Sequence, residues 1–159
     1  MMRGVYTLSV DTQTGILDDR TILYAYGPSN MCVEILSARI TQLNVDTAEQ
    51  LGAGVYKIST ITGATSDDSG NIRKHEDGDP LCSVICSGTV SAVGTQVVET
   101  GTPLDAQGFN NLAGYHYDPI PEERPTLSPG QGVALKLSIA PATNATRFLG
   151  EMVIREIGG

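Results

Sequence analysis

Short runs of β-forming residues, each closed by glycine or proline, recur along this whole chain and limit its fold more than any other feature. "VALKLSI" (133–139) sets Val133, Leu135, Leu137 and Ile139 on one face and Ala134, Lys136 and Ser138 on the other, the pattern of a half-buried antiparallel strand. "VYTLSVD" (5–11) sets Tyr6, Leu8 and Val10 apart in the same way, and "RFLGEMVIREI" (147–157) sets Phe148, Met152 and Ile154 on one face. "TILYAYG" (21–27) ends at the turn pair Gly27-Pro28, and "GVYKISTITG" (54–63) alternates Val55, Lys57, Ser59 and Ile61 against Tyr56, Ile58 and Thr60. "LCSVICSGTVSAVGTQVVET" (81–100) reads as one or two strands bent at Gly88 and Gly94, and "GYHYD" (114–118) as one short strand.

Two segments fit more than one template. In "CVEILSARITQLN" (32–44), Val33, Leu36, Ile40 and Leu43 lie near helical spacing, whereas Leu36, Ala38 and Ile40 lie at strand spacing; residues 32–43 are assigned to a strand. "DTAEQLGA" (46–53) reads as a turn or one helical turn over 46–51, with Asp46 as N-cap and Gly52 as stop. Residues 62–80 are polar and charged, and are expected to form a surface loop.

With 159 residues, one domain spanning 1–159 is expected, large enough to fold without disulfide or metal. Trp is absent and Phe occurs twice, so Val, Ile, Leu and some of the six Tyr must fill the core. Eighteen Gly and eight Pro supply the turns. The expected fold is therefore all-β, a single antiparallel β-sandwich or barrel of the jelly-roll kind.

A net charge of −8 disfavours phosphate, so neither nucleic acid nor an anionic membrane is expected as partner. No apolar run reaches the ~18 residues of a membrane span, and the first residues, "MMRGVYTLSVD", carry no signal-peptide core. Cys32, Cys82 and Cys86 are an odd number and are expected as reduced thiols, the last two as small core residues.

Catalytic patterns were sought by type. His75 lies in the charged loop and His116 between Tyr115 and Tyr117, neither with a metal-ligand partner at close spacing. No nucleophile elbow, Walker loop or dinucleotide fingerprint occurs. Asp67, Asp68, Asn71, Glu76, Asp77 and Asp79 bring oxygen ligands into one loop without EF-hand spacing, so no metal site is assigned. Neither a catalytic residue nor a cofactor is expected.

The stretch "DPIPEERPTLSPG" (118–130) holds Pro119, Pro121, Pro125 and Pro129 around Glu122-Glu123-Arg124. These prolines predict a stiff, extended segment, on which adjacent Glu122 and Glu123 point apart and cannot act as a catalytic pair. Pro129-Gly130 suits a type II turn. A segment ordered in advance loses little entropy on docking. Two readings stand: a crossover loop within the fold, or a contact arm with Ile120, Glu122, Glu123, Arg124 and Leu127 as its contact residues.

"FNNLAGYHYDPIPEERPTLSPG" (109–130), "VALKLSIAPA" (133–142) and "GEMVIREIGG" (150–159) together resemble a family of small virion proteins of tailed bacteriophages, the capsid decoration or cement proteins. "ILSARITQLNVDTAEQLGAGVYKISTITG" (35–63) is similar to that family in outline, while the charged loop after it departs from the family's Gly/Ser/Pro-rich one. The resemblance implies a jelly-roll sandwich without enzymatic activity, assembled in the host cytoplasm and placed as homotrimers on the outer capsid surface, with the major capsid protein as partner. The alternative is a virion head-fibre or tail component that binds host glycans. The absence of Trp and the few aromatic residues, which glycan platforms commonly use, weigh against it.

Overall fold

The computed structural model describes residues 2–13, 15–17, 19–44, 47–61, 72–88, 97–99, 102–143 and 145–158. Its strands are β1 (Met2–Asp11), β2 (Arg20–Tyr26), β3 (Met31–Gln42), β4 (Gln50–Ile61), β5 (Ile72–Lys74), β6 (Ile85–Gly88), β7 (Val97–Glu99), β8 (Asp105–Asn110), β9 (Tyr115–Tyr117), β10 (Thr126–Leu127), β11 (Gly132–Ile139) and β12 (Phe148–Gly158). One 3₁₀ turn, Pro121–Glu123, separates β9 from β10.

Two antiparallel sheets face each other. The first runs β10-β3-β12-β1-β5, with β9 also on β3; the second runs β6-β2-β11-β4-β7, with β8 also on β4. The pairing is nested: β1 with β12, β2 with β11, β3 with β9 and β10, β4 with β8. The chain is thus a long hairpin rolled into a sandwich, the jelly-roll topology.

Side-chain alternation explains the core. Tyr6, Leu8, Val33, Ile35, Ile40, Phe148, Met152 and Ile154 from the first sheet meet Leu23, Ala25, Val55, Val133, Leu135 and Leu137 from the second, all essentially buried in one cluster. The sheets touch closely at Gly150, where a Cβ would lie 2.6 Å from Ile22 Cγ2 and would force that side chain to shift. On the opposite face of the second sheet Tyr24, Ile58 and Ala134 are also buried. On that face of β11 Ala134 is buried between its neighbours, whereas Lys136 and Ser138 stay partly exposed.

Several local expectations are corrected. In β3 the pairing with β12 shifts between Val153 and Ile154, so that Ser37 and Ile35 are successive partners and Leu36 is a bulge. The inward positions are therefore Val33, Ile35, Ala38 and Ile40, and Leu36 does not join the last two. A second shift, between Leu137 and Ile139, turns Ile139 out to 57% exposure.

Residues 47–51 form no helical turn. Gln50 and Leu51 already pair with Asn110 and Phe109 of β8, and Gly52 lies inside β4 rather than closing a helix. The cross-strand pairing outweighs the weak local helical signal. Asp46, Gly63 and Gly94 lie outside the described residues. The 62–80 loop contains β5, paired with β1, and among the described residues of 81–100 the strands are β6 and β7, with irregular residues 81–84 before β6.

The central position of β12 gives a stability prediction. Ile154 is fully buried, so Ile154→Ala should cost about 2–5 kcal/mol in urea denaturation. Leu112→Ala, at 64% exposure, should change stability by less than about 0.5 kcal/mol. Equal midpoints for the two variants would contradict the facing of β12.

Candidate functional site

Residues 118–129 leave β9 at one end of β3 and run back along its outer edge. β9 pairs with Ala38, Arg39 and Ile40; farther along, the Ile35 N–H donates to the Pro125 carbonyl (3.0 Å), and Thr126 and Leu127 pair with Glu34 and Val33. The arm leaves β3 between these two contacts, beside the Leu36 bulge in the β3–β12 ladder. Ile120 (φ −61°, ψ 155°) and Arg124 (φ −62°, ψ 120°) have the extended backbone that a following proline imposes. Between them Pro121 starts a 3₁₀ turn, closed by the Glu123 N–H donating to the Ile120 carbonyl (2.9 Å). The arm is thus two extended pieces about a tight turn, not one continuous rod.

The type II turn is present. Gly130 has φ 75°, and the Gln131 N–H donates to the Ser128 carbonyl (3.0 Å). The Gly130 N–H donates to the Pro28 carbonyl (3.1 Å), tying the end of the arm to the β2–β3 connection.

The five expected contact residues separate. Ile120 is 57% exposed, and Glu122 and Glu123 are exposed. Leu127 is buried at 2% in the chain's own core, so it anchors the arm and is removed from the contact set. Its burial follows from its place in β10 opposite Val33. Arg124 is half-buried; its Nε is shut off from solvent and has no hydrogen-bond partner. Arg155 Nε is likewise buried without a partner, but Arg155 pairs through its Nη1 with Glu34 (3.1 Å), as Arg39 pairs with Glu151 (2.8 Å) and Arg147 with Asp11.

Beside the arm lies an open groove of about 490 Å³, between it, β8 and β9. Asp105, Gln107, His116, Asp118, Ile120 and Glu123 line it. The Tyr115 hydroxyl donates to Asp105 Oδ2 from below (2.7 Å). Burial pushes the Tyr115 hydroxyl pKa up, and its hydrogen bond to Asp105 pushes the same way. Tyr117 is raised too, by burial and then by the charges of Asp105 and Glu123. Asp105, Asp118 and Glu123 make the groove acidic, and Tyr117, which also lines it, stays a neutral phenol.

Sequence reasoning missed Glu156, a fully buried carboxylate. It falls on the inward face of β12 with Phe148, Met152 and Ile154, and that parity was the available signal. Its Oε1 accepts from the Ser83 N–H (2.6 Å), the Val84 N–H (3.1 Å) and the Cys82 thiol (3.4 Å). It pins residues 82–84 across the end of the sandwich, with Cys86 buried behind them. Burial pushes the Cys82 thiol up to about 12, and all three cysteines are free.

The other candidates do not converge. His75 Nε2 contacts Thr7 Oγ1 (2.8 Å), and Asp79 accepts from the Val5 N–H (3.3 Å). Asp67, Asp68 and Asn71 lie outside the described residues. Among the described residues no three His, Cys, Asp or Glu side chains are grouped to hold a metal ion. Comparison with known proteins returns no matching family model, curated protein or solved structure.

The raised groups predict an alkaline limit. Well below their ordinary values of 9.0 and 10.0, Cys82 and Tyr115 keep their protons whether the chain is folded or not. Above those values only the unfolded chain ionises, so stability should fall as pH rises, for Cys82 until about 12. Melting temperature should drop from neutral to strongly alkaline pH, and Tyr115→Phe should flatten part of the drop. An unchanged melting temperature across that range would contradict these environments.

Proposed function

We propose that the protein is a structural virion component. It is a decoration or cement protein that binds the outer surface of a tailed-phage head, contacts the major capsid protein and copies of itself as a homotrimer, and stabilises the shell without catalysing a reaction. The observation that carries this reading is the arm. It is braced by prolines, tied at both ends to β3 and the β2–β3 connection, and presents Ile120, Glu122 and Glu123 to solvent. Such a surface docks with little loss of chain entropy. The residues that carry the family resemblance also build this region: 109–130 supply β9, the arm and β10, while the later stretches supply β11 and β12.

Co-pelleting with undecorated heads tests the reading. The protein should bind them and raise the temperature at which they come apart. Glu122→Ala with Glu123→Ala should fold normally, by circular dichroism, yet bind more weakly. Truncation of a buried interfacial ion pair costs about 2–5 kcal/mol, whereas on a solvated loop the loss stays under about 1 kcal/mol. Heads that neither bind the protein nor gain stability would overturn the proposal, and loss of host adsorption with intact heads would favour the glycan-binding alternative.

A further inference from the structure

Two features of the arm are complementary and are not paired with each other within this chain. Arg124 has no hydrogen-bond or ion-pair partner among the described residues, and its Nε is already out of solvent. The adjacent groove carries the carboxylates of Asp105, Asp118 and Glu123, and Arg124 is not among its lining residues. Ile120, 57% exposed, stands at the rim of the groove. A guanidinium is a planar donor fork that fits carboxylates with paired hydrogen bonds. A net charge of −8 disfavours contact between copies of this chain, and a cation set against carboxylates where they touch offsets that repulsion.

We propose that the groove receives Arg124 from a second copy of this chain, so that the arm is a self-association surface carrying both halves of one contact. A basic peptide from another protein would fill the groove but leave Arg124 unpaired; a second copy satisfies both. In a closed ring each Arg124 enters the groove of the next copy, and exposed Ile120 supplies apolar contact beside the ion pairs. This deepens the self-contact assigned to the arm above and is judged without any capsid.

Sedimentation velocity over a range of protein concentrations reads the association. The parent chain should self-associate, less strongly at high salt because part of the attraction is between charges. Arg124→Glu and Asp118→Arg should each weaken association about tenfold or more, with circular dichroism unchanged. The double variant carrying both changes should regain it, because the charges are exchanged rather than removed. Asp118 is exposed, so Asp118→Arg keeps the test alive if Arg124→Glu fails to fold. A parent that stays monomeric at every concentration, single variants that associate like the parent, or a double variant that does not recover would each overturn the proposal. Assembly in solution without head binding would instead sink the decoration reading and leave this one standing.

Discussion

The rest of the molecule depends on β12 lying between β1 and β3. Its residues pair along both edges, from Asp11↔Leu149 to Met2↔Ile157 on one side and from Gln42↔Phe148 to Met31↔Gly158 on the other. Its inward side chains, Phe148, Met152 and Ile154, form the middle of the core, and Gly150 lets the second sheet approach. Glu156 on the same face holds residues 82–84 in place. β3 in turn carries the arm. A strand near the end of the sequence therefore positions a surface that precedes it by some thirty residues. Because β1 and β12 are far apart in the chain, the loop-closure cost of their pairing must be met before the sheet is complete.

How much was legible follows from which residues obey simple alternation. β12 does, from Phe148 to Glu156, and its existence and facing can be read directly from the chain; β2, buried at five successive positions, and β11 are legible only as runs of β-forming residues. β3 does not, because the bulge at Leu36 splits its apolar positions into Val33 and Ile35, then Ala38 and Ile40. That spacing is neither helical nor strictly alternating, which is why both templates partly fitted. β8, "DAQGFN", places one buried residue, Phe109, among polar and small ones, and only its partner β4 makes it a strand. The same pairing draws Gln50 and Leu51 out of a local turn and into β4.

The arm was legible as stiff because proline restricts φ wherever it stands. Its 3₁₀ turn was not, since Pro121 suits either an extended segment or the first turn of a helix. Nor could the chain alone say that Leu127 belongs to the core or that Asp105 and Asp118 share a groove, because both depend on which strands border β3 and β4. Within the fold the arm meets one of the two readings of its sequence. It is a crossover that closes the edge of the first sheet against further strand pairing. It also holds Ile120 and the charged triplet in one fixed arrangement, the prerequisite for a contact surface.

The most direct test is a particle reconstruction of heads mixed with this protein. The account predicts copies seated on the outer face of the shell with residues 118–129 buried against neighbouring copies or the capsid protein. Copies bound with that arm facing solvent, or no copies on the shell, would contradict it.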